Sequence, residues 1–265
     1  MPPKKDLTTL INTPRQTMDL YAQLAADARN KKQLLGILLD PEKFPLETVG
    51  TEVQINRAFA KAYIYKLPSA TTHLLLGGSS NSYISTDEVA MLIKEYSDLP
   101  LLLFPGDHSQ LSAHADAILF LSLLSGRNPD YLIGQQVKAA PVLHLMNLEI
   151  IPTGYILING KKKSAVERTS GTKPMPQRKL PKIVATALAA QYLGKKLVYL
   201  EAGSGAKRPV QPHVIEAVAK AIDIPLVVGG GIRTSSQLEA AYSAGADMVI
   251  VGTAFEEDSW NSQSS

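Results

Sequence analysis

The sequence predicts a modified (β/α)8 barrel in a single domain over residues 1–265, with the barrel at about 34–257 and polar segments at both ends. About eight short apolar runs alternate with helical patterns, which favours a closed parallel sheet with crossover helices. The chain length is close to the roughly 250 residues that such barrels use. Glycine-rich or polar segments follow most of the runs, as expected where barrel strands end.

Composition excludes several classes of protein. The chain is 45% apolar and 19% charged with a net charge of +3, which is ordinary for a soluble globular protein and gives no reason to expect nucleic acid. The absence of cysteine excludes disulfides, cysteine–zinc sites and thiol nucleophiles. No apolar run approaches the roughly 18 residues of a membrane span, and the N-terminus lacks a signal-peptide core. We therefore expect a cytoplasmic protein.

The first half of the chain contains an extra helix and one unusually short connection. Thr13-Pro14 is typical of a helix start, and the helix that follows is predicted to close the bottom of the barrel. Only about a dozen residues without helical periodicity separate the third strand from the fourth, so the third barrel helix is predicted to be missing. The predicted elements are strands at 34–39, 63–65 with 72–76, 101–104 and 117–121, and a helix at 86–96.

The second half becomes regular after one long loop. Residues 159–181 are predicted to be a polar loop, and its seven basic residues indicate either a solvated surface or an anion clamp. The remaining predicted elements are helices at 128–138, 183–193, 212–221 and 235–244, and strands at 148–158 (broken by 152–154), 197–200, 226–228 and 248–251.

One strand end carries a carboxylate next to a flexible loop. The apolar run 197–200 ends in Glu201, and Ala202, Gly203, Ser204 and Gly205 follow at once. Barrel enzymes build sites from such strand ends, and glycine lets the backbone approach a ligand closely. The alternative is an ordinary strand-to-helix turn with an exposed glutamate.

The last two strand ends predict a phosphate site. Gly229, Gly230 and Gly231 follow one strand, and Gly252-Thr253 follow the next. Barrels frequently bind phosphate between these two loops, through backbone N–H groups at helix N-termini. Either cluster alone would usually be a tight turn.

Asp40 and Ser79 are candidate ligands of Mg²⁺. Asp40 follows the first strand and Ser79 follows Gly77-Gly78 after the second, so both are expected at the same face. Mg²⁺ prefers oxygen ligands and commonly uses one or two carboxylates together with substrate phosphates. Taken singly, both residues are also typical of turns.

Other enzyme signatures are absent or weak. The chain has no Gly-x-Ser-x-Gly, Gly-x-Gly-x-x-Gly or His-Glu-x-x-His pattern. The adjacent pair Asp107-His108 is interpreted as structural. Tyr155 and Tyr199 could donate hydrogen bonds to ligand hydroxyls, although aromatic residues near strand ends usually serve packing.

Several of these motifs together resemble the geranylgeranylglyceryl phosphate synthase family. The resemblance covers about residues 34–255 and is carried most specifically by Leu-Asp-Pro-Glu-Lys at 39–43 and Tyr-Leu-Glu-Ala-Gly-Ser-Gly-Ala at 199–206. Gly-Gly-Ser at 77–79, Gly-Gly-Gly-Ile-Arg at 229–233 and Val-Gly-Thr at 251–253 agree with it. It implies a barrel that lacks the third helix and joins a polyprenyl diphosphate, with geranylgeranyl expected, to sn-glycerol 1-phosphate through an ether bond.

The resemblance also implies roles for individual residues. Asp40 and Ser79 would hold Mg²⁺ against the diphosphate, and Glu201 would act as the general base that deprotonates the glycerol hydroxyl. The residues implied in substrate binding are Tyr199, Leu200, Glu201, Ala202, Gly203, Ser204, Gly205, Gly230, Gly231, Gly252 and Thr253. In the related bacterial heptaprenyl enzymes a lysine precedes the metal aspartate by two residues, whereas this chain has Leu38. The prenyl chain is expected in an apolar groove along strands two to four.

The implied partners are the two substrates, a second copy of the chain in a homo-oligomer, and transient contact with a membrane surface. Two other functions stay open. One is a different phosphate-binding barrel enzyme, such as a phosphosugar isomerase or synthase or a flavin-phosphate enzyme. The other is a non-catalytic phosphate-binding barrel, against which the combination of Asp40, Ser79 and Glu201 argues.

Overall fold

Apolar runs with buried residues on both faces form the parallel strands of a closed barrel, as they do where helices cover a sheet. The computed structural model describes residues 19–78 and 84–256. The strands are β1 (Leu34–Leu39), β2 (Leu46–Val49), β3 (Glu52–Ile55), β4 (His73–Leu76), β5 (Leu101–Leu103), β6 (Ala117–Leu123), β7 (Glu149–Leu157), β8 (Leu197–Glu201), β9 (Leu226–Gly229) and β10 (Met248–Val251). The α-helices are α1 (Leu20–Arg29), α2 (Arg57–Tyr65), α3 (Thr86–Tyr96), α4 (Gln135–Leu143), α5 (Ala165–Ser170), α6 (Leu180–Tyr192), α7 (Pro212–Ala219), α8 (Ser235–Ser243) and α9 (Thr253–Glu256).

Eight of these strands close the predicted barrel. The order around it is β1-β10-β9-β8-β7-β6-β5-β4, and β4 pairs with β1 to complete the ring. In this register Glu201 on β8 lies between Leu157 on β7 and Gly229 on β9. The fold class is therefore confirmed, and the topology brings the last residues of β8 and β9 side by side.

The extra N-terminal helix covers the bottom of the barrel, as predicted. Leu24 of α1 is buried with the residues that fill the barrel interior, including Leu75 and Leu102. The backbone N–H groups of Leu20 and Tyr21 donate to the Glu149 carboxylate, at 2.8 and 3.1 Å. Because Glu149 begins β7, these bonds hold α1 at the N-terminal ends of the strands. The predicted start at Thr13-Pro14 lies outside the described residues.

The third barrel helix is missing, as predicted. Residues 104–116, all of which are described, contain turns and no helix between β5 and β6. Side chains hold this connection: Gln110 accepts from the Gly106 N–H at 2.8 Å, and Asp107 accepts from the Ser109 N–H at 2.7 Å. The C-terminal face is therefore covered by a short loop at this side of the barrel.

Residues 63–65 are helical, so their prediction as part of a strand was wrong. They end α2, whose first turn is capped by the Asn56 side chain accepting from the Phe59 N–H at 2.7 Å. β2 and β3 form an antiparallel hairpin outside the barrel, which was not predicted. Just before β2, Phe44 packs edge to face against Tyr63 with ring centroids 5.6 Å apart, which joins the segment leading into the hairpin to α2.

β7 is continuous, although a break at 152–154 was predicted. The Pro152 carbonyl accepts from Lys196 at 2.7 Å, just before β8 begins. A residue in a parallel strand directs its N–H and carbonyl to the same side, so the N–H that proline lacks would face a position without a strand partner. Glycine at position 154 lets α6 pack closely against β7, since a Cβ there would lie 2.6 Å from the Cβ of Ala190 on α6.

The predicted loop 159–181 is partly structured. α5 lies within it, with the Ser164 hydroxyl accepting from the Glu167 N–H at 3.0 Å, and α6 begins at Leu180. An isolated bridge pairs Ile158 with Met175 and so closes the base of the excursion. Within 19–78 and 84–256, no helix has the length and apolar character needed to cross a membrane.

Candidate active site

One cavity at the C-terminal ends of the strands brings most of the predicted site residues together. The predicted residues that line it are Asp40, Tyr199, Glu201, Gly203, Ser204, Gly205, Gly230, Gly231, Gly252 and Thr253. Leu200 and Ala202 do not line it, because their side chains are buried in the core outside the barrel. Ser79 lies outside the described residues.

Glu201 is a buried carboxylate with an unusual proton affinity. Its side chain is only 6% exposed, and its Oε1 accepts a hydrogen bond from the Gly203 N–H at 2.6 Å. Burial raises the pKa of Glu201 to about 7, although the Gly203 N–H bond and the neighbouring Tyr199 hydroxyl lower it. The alternative of an exposed turn glutamate is excluded. A carboxyl group that titrates near neutral pH is suited to general-base chemistry.

Tyr199 places its hydroxyl beside this carboxylate. A Cβ built on Gly229 would lie 2.4 Å from the Tyr199 hydroxyl and 2.9 Å from Glu201 Oε2. Both groups therefore contact the same glycine and lie next to each other. The Tyr199 ring stacks on Phe104 and meets Tyr155 edge to face, at centroid distances of 5.3 and 5.4 Å. Burial, and next the Glu201 charge, raise the pKa of Tyr199 well above its usual value, so the hydroxyl stays protonated and can donate.

The glycine loops adopt backbone conformations that other residues avoid. Gly203 has φ +99°, Gly230 has φ +81° and Gly231 has φ +77°. A Cβ on Gly230 would also lie 2.6 Å from the Gly203 nitrogen, so the loops after β8 and β9 touch. Both requirements explain why glycine occupies position 230.

The loops after β8 and β10 are joined by side chains. The hydroxyls of Ser204 and Thr253 lie 3.0 Å apart. Arg233, which was noted in the sequence only as part of a motif, donates to the Ala206 carbonyl at 2.7 Å and so ties the β9 loop to the β8 loop. Three consecutive loops thus form one continuous rim of glycines and hydroxyls, which is the chemistry that binds phosphate oxygens.

Asp40 follows β1, the strand that pairs with β10, so it lies on the side of the cavity next to the loop of Gly252 and Thr253. It fits a metal only together with a substrate. Its Oδ1 accepts from the Glu42 N–H at 3.0 Å, and a Cβ on Gly78 would lie 2.8 Å from the same oxygen. Burial raises the pKa of Asp40. In residues 19–78 and 84–256, no cluster of three or more His, Asp or Glu side chains could hold a metal. One carboxylate fits Mg²⁺ that arrives with a diphosphate, which supplies further oxygen ligands.

The cavity extends into an apolar groove whose walls were only partly predicted. Phe104 follows β5, and Leu119 and Leu121 lie on β6, so the groove follows the third and fourth barrel strands. Tyr131, which lies in a helical segment after β6, and Val166 of α5 also line the cavity. The Ser-x-x-Glu pattern at 164–167 was the signal that could have revealed α5.

Comparison with known proteins gives a consistent result. The model of the PcrB family matches residues 31–264. The geranylgeranylglyceryl phosphate synthase of Zunongwangia profunda is 51% identical over 89% of this chain and 96% of its own, and that of Pyrococcus furiosus is 43% identical over 85% and 86%.

A solved structure agrees over a similar share of the chain. It is (S)-3-O-geranylgeranylglyceryl phosphate synthase from Thermoplasma acidophilum in complex with its substrate sn-glycerol-1-phosphate, with a TM-score of 0.80 and 35% identity over 90% of this chain and 92% of that one. A tryptophan synthase α-subunit from Pyrococcus furiosus, with a TM-score of 0.51 and 13% identity over 84% and 88%, shares the fold alone.

Proposed function

Since the chain belongs to the PcrB family, we propose that it is a prenyltransferase that joins a polyprenyl diphosphate to sn-glycerol 1-phosphate. The names of its relatives favour geranylgeranyl diphosphate as the donor. The products are an ether-linked prenylglyceryl phosphate and diphosphate.

One observation of the site carries this proposal: a buried carboxylate with a pKa of about 7 lies beside a glycine-rich rim. The glycerol hydroxyl must lose its proton as it attacks, and Glu201 is the group suited to accept it. We propose that the Tyr199 hydroxyl orients that glycerol. The rim formed by Gly230, Gly231 and Thr253 supplies N–H and O–H donors for the phosphate.

The reaction balances with these groups. The bond between the allylic carbon and the diphosphate oxygen breaks, the bond between that carbon and the glycerol oxygen forms, and the hydroxyl proton passes to Glu201. Mg²⁺ held by Asp40, with Ser79 as the second ligand that we propose, would stabilise charge on the diphosphate oxygens. The groove at Phe104, Leu119 and Leu121 would bury the prenyl chain and exclude water from the reacting carbon.

The decisive assay offers the purified protein geranylgeranyl diphosphate, Mg²⁺ and either sn-glycerol 1-phosphate or sn-glycerol 3-phosphate. Transfer with the 1-phosphate, and much slower transfer with the 3-phosphate, is expected. Extraction into butanol and mass spectrometry identify the ether product. The proposed function would be refuted if the protein binds glycerol 1-phosphate but forms no product with prenyl donors of about 10 to 35 carbons.

We also propose a cytoplasmic homo-oligomer that contacts a membrane surface transiently when it releases its lipid product. Exposed apolar side chains support contact with a partner surface: Ile133 is 59% exposed, Val137 on α4 is 63% exposed and Leu145 just beyond α4 is 63% exposed. Light scattering after size exclusion tests the oligomer, and sedimentation with phosphatidylglycerol vesicles tests the membrane contact.

A further inference from the structure

The segment that follows β7 runs along the loop that follows β8 and is bonded to it. The Ile158 N–H donates to the Glu201 carbonyl at 2.8 Å, and the Gly160 carbonyl accepts from Lys207 and Arg208 at 2.9 and 3.1 Å. A Cβ on Gly160 would lie 2.3 Å from the Ala202 carbonyl oxygen. The backbone that carries the basic residues 161–163 is therefore fixed to the loop that follows β8.

Two further contacts continue this alignment toward α5. The Cβ of Ser164 would lie 2.7 Å from a Cβ on Gly203, so the N-terminal cap of α5 rests on the glycine loop. Between these contacts, Lys161 has φ +62° and its N–H donates to the Asn159 side chain at 2.9 Å. This turn presents the next residue, Lys162, to the loop.

The ammonium group of Lys162 lies against Gly205. A Cβ built on Gly205 would be only 2.6 Å from Lys162 Nζ, and Gly205 has φ +63°. Gly205 follows Ser204, whose hydroxyl lies 3.0 Å from that of Thr253. Lys162 forms no ion pair with any residue in the described part of the chain.

A cation would stabilise a dianionic ligand at this rim, and the nearby Arg233 already donates to backbone carbonyls. Arg233 donates to the carbonyls of Ala206 and Gly231, at 2.7 and 3.5 Å. A lysine side chain is flexible and carries a compact positive charge. Lys162 could therefore adjust its position to a phosphate bound at the rigid loop after β8.

We propose that Lys162 binds the phosphate of the glycerol phosphate and is a specificity-determining residue for that substrate. This inference rests on the proposed function and assigns the basic segment to the glycerol phosphate, in contrast to the prenyl diphosphate. The Lys162 ammonium group would add a positive charge to the neutral donors of the site, which are the glycine N–H groups and the hydroxyls of Ser204 and Thr253.

The test compares Lys162→Met with Lys182→Met, which removes the same charge from an exposed position on α6. Lys162→Met should raise the KM for glycerol 1-phosphate about tenfold, or about 1.4 kcal/mol, while kcat and the KM for the prenyl diphosphate stay within about twofold. Lys162→Arg should restore most of the affinity. Lys182→Met should leave all three constants unchanged.

Calorimetric titration with glycerol 1-phosphate and with inorganic phosphate separates this proposal from the proposed function. Weaker binding of both ligands by Lys162→Met supports the phosphate contact even if the wild type transfers no prenyl group. An unchanged affinity in Lys162→Met, or an equal loss in Lys182→Met, would overturn the proposal. A rise in the KM for the prenyl diphosphate alone would also overturn it.

Discussion

Gly230 and Glu201 are packed so closely that a Cβ on the glycine would lie 2.3 Å from Oε1 of the glutamate. The same oxygen accepts the Gly203 N–H at 2.6 Å, so the carboxylate is held between two glycine loops. The residue that we propose as the base is thus positioned by the backbone that we propose as the phosphate site.

Gly230→Ala should therefore impair more than phosphate binding. The added Cβ must displace the Glu201 carboxylate, so we expect a higher KM for glycerol 1-phosphate together with a loss of kcat of tenfold or more (~1.4 kcal/mol). Gly194→Ala is the matched control, since Gly194 has φ +77° and a Cβ at that position would meet nothing within 4 Å. Gly194→Ala should lose about 1–2 kcal/mol of stability to backbone strain, and Gly230→Ala should lose more, because its Cβ also meets the Gly203 backbone nitrogen at 2.6 Å. If Gly230→Ala and Gly194→Ala had the same kcat and KM, the proposed role of Glu201 as the base would be contradicted.

Glu201→Gln should abolish the base and change the pH dependence of stability. We expect kcat/KM to fall by about 10²–10⁴, and the wild-type profile to rise with pH through about 7. Because burial raises the folded pKa above the unfolded value, the wild type binds more protons when folded. As the pH rises from about 4.5 to 7, its stability should therefore fall relative to the variant, by on the order of 2–3 kcal/mol. Urea unfolding at pH 5 and pH 8 measures this difference; parallel pH dependences would contradict it.

Tyr199→Phe should move the same profile. The Tyr199 hydroxyl beside the Glu201 carboxylate lowers the pKa of Glu201, so its removal should shift the rising limb to higher pH and lower kcat severalfold at pH 7. The ring that stacks on Phe104 remains in the variant. Tyr155→Phe removes a hydroxyl from an equally buried neighbour, and its profile should shift less. A larger shift of the pH profile in Tyr155→Phe would mean that Tyr155, and not Tyr199, lowers the pKa of Glu201.

Asp40→Asn should abolish Mg²⁺-dependent turnover without unfolding the protein. The asparagine carbonyl can still accept the Glu42 N–H, so the turn after β1 is kept while the charge is lost. Asp107→Asn is the control, because the Asp107 carboxylate caps Ser109 at 2.7 Å in a turn on the same cavity. Turnover is measured across a Mg²⁺ titration with circular dichroism of each variant. An unaltered Mg²⁺ requirement in Asp40→Asn would remove Asp40 from the metal site.

Local pattern was sufficient for much of the fold. The strands 34–39 and 248–251 and the helix 86–96 have the predicted bounds. Continuous apolar runs are strong local signals for the strands, and Ser85, whose hydroxyl accepts from the Glu88 N–H at 3.4 Å, is one for the helix start. The helical state of 63–65 was missed, since short apolar segments are ambiguous between helix and strand. The β2–β3 hairpin was missed because its strands are short, half polar and mostly exposed, so they form no continuous apolar run. A break at 152–154 was predicted because proline and glycine are unfavourable in the middle of a strand. Pro152 is tolerated because β8 begins only at Leu197, which the local pattern does not show.

By itself the sequence determined the alternation of strands and helices, the missing third helix, and the order of carboxylate, glycine and hydroxyl residues at the strand ends. Tertiary structure alone decided their environment. Burial of Glu201 sets its pKa, and the closeness of Gly230 to Glu201 and of Lys162 to Gly205 arises from loops that are distant in sequence. Desolvation and contact depend on the neighbours that the closed barrel brings together, and a linear pattern does not specify those distances.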